Sequence, residues 1–282
     1  MIHHKAHDLY RLNTMRLHAI AADYYEPESL TELTDLLSML KSEGKKYYIL
    51  GGGSNILMPP RIEIVIALGR MCNDIKIEGS TVEVGASVKM QQLIRAAQAQ
   101  NLGGIELLFS LPCQVGGAIA MNAGRGKSHG GSIADFVESV TCVDASDGRL
   151  ITLSRQDCGF AYRHSLLQDR SLIVVKAQLR LIQRDASEVE RLIAERLERQ
   201  RTHLDASRPS CGSVFRKCNR RLMWLLRGLN HGGATYSTKT INWISNTGDA
   251  TYDDIIYLIR IAKLIHRVTF QKCELEIKIW KQ

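Results

Sequence analysis

The chain has 282 residues, 45% hydrophobic and 23% charged, which is long enough to bury a substantial core and excludes a disordered, charge-dominated protein. Its formal charge of +8 calls for an anionic partner: nucleic acid, a membrane surface or a phosphorylated small molecule. No apolar run approaches a bilayer span, the opening MIHHKAHDLYRLNT is too polar for a secretory signal, and 5 Phe and 3 Trp with no aromatic-interleaved basic stripe argue against nucleic acid. A cytoplasmic protein with a small-molecule partner is expected.

In chain order, the first clear element is a helix over residues 28–43, with Ser29 and Glu32 as a capping box, Leu30, Leu33, Leu37 and Leu40 on one face, and Gly44 as its stop. A strand over 45–50 (KKYYIL) runs directly into Gly51-Gly52-Gly53-Ser54-Asn55, and a second strand follows over 62–68. Residues 75–77 and 82–84 flank Glu78-Gly79-Ser80 as a hairpin, and 89–101 reads as a helix. Strands are expected over 137–143, 150–153 and 171–182, with Asp147-Gly148 turning between the first two. From Ser187 the chain becomes a charged amphipathic helix with Val189, Leu192, Ile193 and Leu197 on its apolar side, which places a domain boundary near residue 184. A helix over 253–268 and a short final strand over 275–280 close the chain. The fold class is α+β, because strands and helices do not alternate as a doubly wound sheet requires.

Gly51-Gly52-Gly53-Ser54-Asn55 sits where a phosphate-binding turn would, since glycines let backbone amides approach an anion without obstruction by Cβ. It is not a Rossmann fingerprint: the glycine spacing fails at Ile56, and Pro59-Pro60 forbid the helix that would have to follow. Such a segment is also an ordinary turn. A second small-residue stretch runs from Pro112 through Val115-Gly116-Gly117-Ala118 to Asn122-Ala123-Gly124, and taken alone it is equally a loop packed on a sheet. The two together suggest an extended ligand anchored twice, such as a dinucleotide. Seven scattered cysteines without a Cys-x-x-Cys pair read as free thiols, and no metal-ligand spacing occurs, so no metal is expected.

GGGSN, LPxxVGGAxxMNAG, FAYRHS and CGSVFRK, in this order, resemble the UDP-N-acetylenolpyruvoylglucosamine reductases, which make UDP-N-acetylmuramate with FAD. The likeness begins at Asn13-Thr14-Met15-Arg16, includes Asn242-Trp243-Ile244-Ser245-Asn246, and ends at Glu274-Leu275-Glu276. It implies a vanillyl-alcohol-oxidase-type FAD-binding domain over 1–183, with subdomains of about 1–72 and 73–183, and a C-terminal substrate domain over 184–282. No long tyrosine-bearing insertion separates Ser165 from Ser171, so the chain resembles the shorter form of that family.

By the same resemblance the cofactor-binding residues are Gly51, Gly52, Gly53, Ser54 and Asn55 in the first loop, and Pro112, Val115, Gly116, Gly117, Ala118, Asn122, Ala123 and Gly124 in the second. The catalytic residues are Arg163, Ser213 and Glu276. NADPH is the implied hydride donor to FAD. Arg163 and Glu276 would stabilise charge developing on the enolpyruvyl carboxylate, and Ser213 would deliver a proton to the adjacent carbon. Arg201, Lys217 and Asn242 would contact the UDP-sugar. Taken singly, Arg163 is also a surface strand residue, Ser213 a helix cap, Glu276 a strand-end charge, and the two basic residues a solvated face.

Several positions depart from the family pattern: Ser110 and Cys113 replace glycines, Arg125-Gly126-Lys127-Ser128-His129-Gly130-Gly131 replaces a tyrosine-containing turn, and His203, Cys218-Asn219 and Thr240 stand at usually different residues. These bear on substrate and NADPH contacts. The competing reading is another flavin oxidoreductase of the same fold acting on a different sugar nucleotide or small molecule.

Overall fold

The structure is a computed structural model that describes residues 1–126, 131–169 and 171–281. Its internal contacts divide the chain into two compact units. The first comprises Met1–His4, Asp23–Gly52 and Ile64–Glu198, and the second Lys5–Ala22, Gly53–Glu63 and Arg199–Gln282. This cut differs from the expected one near residue 184. The reason is packing: Met15, Leu17 and Leu57, far from the C-terminal segment in sequence, are buried in the same apolar cluster as Val214, Phe215, Ile244, Leu258 and Ile277.

The first unit is built on a five-stranded antiparallel sheet in the order Leu150–Ser154, Val137–Asp144, Leu172–Arg180, Thr81–Gly85, Ile75–Glu78. Each hairpin expected from alternation is present. Val82, Val84, Val140, Cys142, Ala177 and Leu179 point into one core. Helix α1 (Leu30–Ser42) starts at Ser29, whose hydroxyl accepts from Glu32 N–H at 3.1 Å. The capping box is only half formed, since Glu32 accepts instead from the Glu28 N–H at 2.8 Å and from the amino terminus at 2.6 Å. Leu36, not Leu30, completes the buried stripe with Leu33, Leu37 and Leu40. Strand Tyr48–Leu50 pairs in parallel with Val65–Ile66–Ala67 and delivers the chain to Gly51.

Helix α2 (Met90–Gln98) buries Met90, Leu93, Ile94 and Ala97 and is shorter than the expected 89–101, because Asn101 turns into the left-handed region at φ 55°. Helix α3 (Val115–Ala120) falls where the sequence reads as a loop. Two adjacent glycines give it poor intrinsic propensity, and tertiary contact supplies what propensity lacks: a Cβ at Gly116 would stand 2.9 Å from that of Ala86. Helix α4 (Ala186–His203) buries Val189 and Ile193 as expected, but Arg196 takes the place foreseen for Leu197, donating from Nε to Ser110 Oγ at 2.7 Å.

In the second unit, a four-stranded antiparallel sheet runs in the order Ser210–Ser213, Trp243–Asn246, Ala234–Tyr236, Asn230–His231. Helix α5 (Arg220–Leu225) is capped by Asn219, and α6 (Tyr252–Val268) by a full Thr251/Asp254 capping box. The expected final strand over 275–280 is two short pieces: Glu274–Leu275 pairs with Phe215–Lys217, and Lys278–Ile279 pairs in parallel with Ile56–Leu57. Glu276 lies at the break between them. All seven cysteines are free thiols. Among the described residues no helix is long and apolar enough to cross a membrane.

Candidate active site

Within the first unit the two glycine-bearing segments lie backbone against backbone. A Cβ at Gly52 would stand 2.9 Å from the Pro112 carbonyl oxygen and 3.2 Å from Cys113 Cα, so no side chain fits there. Gly116 N–H donates to the Ala86 carbonyl at 2.8 Å and Val115 N–H to that of Val88 at 2.9 Å, which seats the start of α3. Gly51 has only the Gln114 amide near its Cβ position, at 3.5 Å, and Gly117 faces open space. Ala118 accepts from Ala123 N–H at 2.7 Å, both residues being buried, and Gly124 is pressed against Ser132, whose Cα would stand 2.4 Å from its Cβ. These segments therefore offer a surface made of backbone and of very small side chains.

Arg163 stands at the tip of a tight turn. Ala161 N–H donates to the His164 carbonyl at 3.0 Å and His164 N–H returns to that of Ala161 at 3.2 Å, with Arg163 itself at φ 55°. Its guanidinium lies 5.5 Å from the centroid of the exposed Tyr162 ring. The turn is pinned to the second glycine segment. Ser165 Oγ and Gln168 Nε2 both donate to the Ala120 carbonyl, at 2.7 and 2.6 Å, and Asn122 donates from Nδ2 to the Ala161 carbonyl at 2.9 Å. Asn122 Oδ1 accepts from Ala134 N–H at 3.3 Å, so its amide is engaged with backbone at both ends. Asn122, Gly124, Asp135, Phe160, Tyr162 and Arg163 are among the residues lining a cavity of about 790 Å³ beside this turn.

In the second unit, Gly53 is held at φ 62° with the Leu12 carbonyl oxygen only 2.0 Å from where a Cβ would be, and its own carbonyl accepts from Thr14 N–H at 3.1 Å. Ser54 follows, half-buried. Asn55 donates from Nδ2 to the Glu276 carbonyl at 3.2 Å, while Lys278 N–H donates to the Asn55 carbonyl at 2.9 Å. Ser213 ends the edge strand of the four-stranded sheet, after Gly212 at φ 78° and a register shift between Ser210 and Ser213. Glu276 N–H donates to the Val214 carbonyl at 2.8 Å, which brings Glu276 alongside Ser213. Burial pushes the Cys211 thiol up to about 12, and the negative charge of Glu276 adds to the shift.

The residues expected to contact substrate are placed as follows. Asn242 turns its amide onto the backbone of Phe215, accepting from its N–H at 3.0 Å and donating to its carbonyl at 2.7 Å. Lys217 is exposed, with Nζ 4.0 Å from the Glu274 carboxylate that also pairs with Arg216 at 3.3 Å. Arg201 lies on the exposed face of α4, and its carbonyl accepts from Lys239 Nζ at 2.8 Å. Of the three expected catalytic residues, Ser213 and Glu276 fall in the second unit and are brought together; Arg163 belongs to the first.

Residues 21–154 match a family model described as an FAD binding domain, and residues 202–280 match the C-terminal domain of UDP-N-acetylenolpyruvoylglucosamine reductase. UDP-N-acetylenolpyruvoylglucosamine reductase 2 of Symbiobacterium thermophilum is 33% identical over 98% of this chain and 91% of its own length. The chain belongs to the UDP-N-acetylenolpyruvoylglucosamine reductase family. The reductase of Synechococcus sp. is 35% identical over 89% of this chain and 86% of its own. The crystal structure of UDP-N-acetylenolpyruvylglucosamine reductase from Thermus caldophilus superposes with a TM-score of 0.80 at 29% identity, covering 99% of this chain and 98% of that one. With an FAD binding domain and this membership, the chain is an FAD-dependent oxidoreductase of α+β fold.

The residues present fit that cofactor. Gly52 and Gly116 let the two segments pack against Pro112 and Ala86, while Gly51 and Gly117 keep open backbone against which a flat ligand such as a flavin dinucleotide can lie. Three positions noted as departures from the family pattern have defined surroundings. Ser110, where a glycine is usual, is buried with its hydroxyl bound by Arg196, and Cys113 is a half-buried thiol that desolvation pushes up to about 12. Thr240 accepts at Oγ1 from Asp205 N–H at 2.7 Å, a structural role. Of the atypical loop after Gly124, residues 127–130 lie outside the described residues. Sequence reasoning did not single out Ser165 and Gln168, although Ser165 stands inside FAYRHS; its complete burial is what marks it.

Proposed function

We propose that this chain reduces UDP-N-acetylglucosamine enolpyruvate to UDP-N-acetylmuramate with NADPH as the electron source, a step in peptidoglycan precursor synthesis. FAD, when bound, supplies two-electron hydride transfer between NADPH and the terminal enolpyruvyl carbon. The loops at 51–55 and 112–124 would hold it, because their backbone can approach a pyrophosphate and a flat ring system without side-chain obstruction.

Ser213 gives its hydroxyl proton to the carbon adjacent to the one that receives hydride, so that hydride plus proton together saturate the double bond. Arg163 and Glu276 stabilise the enolate-like carboxylate that forms between those two events, the arginine by charge and the glutamate by hydrogen bonding in protonated form or through water. Lys217 and Arg201 offer positive charge to the substrate diphosphate, in keeping with the +8 balance of the chain. What supports this reading is a backbone bond, Glu276 N–H to the Val214 carbonyl at 2.8 Å, which sets the segment bearing the Glu276 carboxyl group next to the residue that follows Ser213.

The test is a coupled assay. Purified protein loaded with FAD is expected to oxidise NADPH only when UDP-N-acetylglucosamine enolpyruvate is supplied, and Ser213→Ala is expected to keep its flavin while turnover falls about 100-fold or more. NADPH consumption indifferent to that sugar would refute the reading.

A further inference from the structure

Asn242 occupies a position that nothing about its side chain explains if it serves a ligand. It sits at φ 72°, in the left-handed region that asparagine and glycine enter most readily, one residue before strand Trp243–Asn246. From there it makes three bonds to two consecutive residues. Its backbone carbonyl accepts from Val214 N–H at 2.9 Å, its Oδ1 accepts from Phe215 N–H at 3.0 Å, and its Nδ2 donates to the Phe215 carbonyl at 2.7 Å. An amide bonded at both ends to one residue's backbone fixes where that residue lies and how its peptide planes are turned.

The segment so gripped needs the grip. Ladder pairing is interrupted between Ser210 and Ser213, and Gly212 at φ 78° adds a permissive joint just before the serine. Beyond Ser213 the chain is anchored: the side chains of Val214 and Phe215 are buried at 0% and 2% exposure, and the Val214 carbonyl accepts from Glu276 N–H at 2.8 Å. The direction of the Ser213 side chain is thus set by a loose joint on one side and by the residues Asn242 holds on the other.

We propose that Asn242 is a positioning residue, acting through Val214 and Phe215 to aim the Ser213 hydroxyl. The proposal rests on the reading of Ser213 as proton donor. It replaces the expectation that Asn242 contacts the substrate, and the two differ in what they predict: a lost substrate contact raises KM, whereas a misaimed proton donor lowers kcat.

Asn242→Gly removes the amide and tolerates the same φ, so backbone strain does not confound it. The full-length protein with FAD bound is compared as wild type, Asn242→Gly, Ser213→Ala and the double variant. Expected are a kcat lower by about 10- to 100-fold, a KM for the enolpyruvyl sugar within about twofold, and flavin reduction by NADPH at the wild-type rate. Faster amide hydrogen exchange at Val214 and Phe215 is expected as a readout independent of activity, and the double variant should be no slower than Ser213→Ala alone. Asn242→Asp, which keeps the acceptor but opposes the Phe215 carbonyl with a second oxygen, should give the same pattern and serves if the glycine variant does not accumulate.

A KM rise at unchanged kcat would overturn the proposal in favour of a substrate contact. Additive losses in the double variant would overturn it in favour of a general structural role. If Ser213→Ala alone leaves turnover intact, the reading of Ser213 falls and this proposal with it; if Ser213→Ala is impaired while Asn242→Gly keeps its kcat, only the positioning role falls.

Discussion

The side-chain amide of Asn55, in the first glycine-bearing loop, donates to the backbone carbonyl of Glu276 at 3.2 Å. That bond joins two segments separated by most of the chain, at the point where the final strand breaks into its two pieces. A break in a ladder leaves backbone groups without partners, and Asn55 supplies one.

Asn55→Ala should therefore loosen Glu276 without undoing the nearby pairing, since Lys278 N–H bonds to the backbone carbonyl of residue 55 and not to its side chain. A loss of about 1 kcal/mol in stability by urea unfolding is expected, with a fall in kcat of several-fold and flavin retained. Unchanged kcat in a folded variant would show that Glu276 needs no such support.

The Arg163 turn depends on two donors that share one acceptor. Ser165 is completely buried and donates to the Ala120 carbonyl, which Gln168 also reaches. Ser165→Ala leaves that carbonyl with a partner, so it should cost about 1 kcal/mol. Asn122→Ala leaves the Ala161 carbonyl with the His164 N–H but removes the acceptor of the buried Ala134 N–H, and should cost more, about 2 kcal/mol. Denaturant midpoints of the two variants check the order; equal losses would contradict it.

Burial raises the thiols of Cys72, Cys113, Cys142 and Cys211 to about 12 from an ordinary value of 9.0. A folded-state value above the unfolded one means that the native chain keeps protons the unfolded chain has lost, so their stabilising contribution is complete below about pH 9 and shrinks as pH climbs from there towards about 12. Unfolding midpoints should fall steadily over that window. At neutral pH the buried thiols of Cys72, Cys142 and Cys211 should resist alkylation in the native protein and react once it is unfolded; rapid native labelling of these three would contradict the burial that the fold assigns them.

Much of this arrangement is legible in the sequence, and for identifiable reasons. Leu33, Leu37 and Leu40 of α1, the Ser29 cap at its start, the helix over 253–268 and the hairpin around Gly79 each rest on local chemistry, whereas the Glu32 half of the α1 capping box is diverted to Glu28 and the amino terminus. Helix α3 is not legible, because its two glycines read as loop and only the contact with Ala86 makes them helical. Nor is the split of the last strand, which is decided by partners at Phe215 and Ile56 far away in the chain. The candidate site is legible as motifs, while the backbone contacts made by its amides are not. Asn55, Asn122 and Asn242 read as ligand-binding because an amide in a glycine-rich or motif-bearing stretch suits a ligand; in the fold all three bond to the backbone that carries Glu276, the Arg163 turn and the Ser213 segment. A side-chain amide recognises a peptide group and a ligand with the same atoms, so residue type alone does not separate the two.

The most direct measurement is on the oxidative half-reaction. Protein whose flavin has been reduced by NADPH without oxygen is mixed with UDP-N-acetylglucosamine enolpyruvate, and flavin absorbance is followed. Absorbance should return as the sugar is reduced to UDP-N-acetylmuramate, and far more slowly in Ser213→Ala. A reduced flavin that the enolpyruvyl sugar leaves unoxidised in the wild-type chain would contradict the proposed reaction.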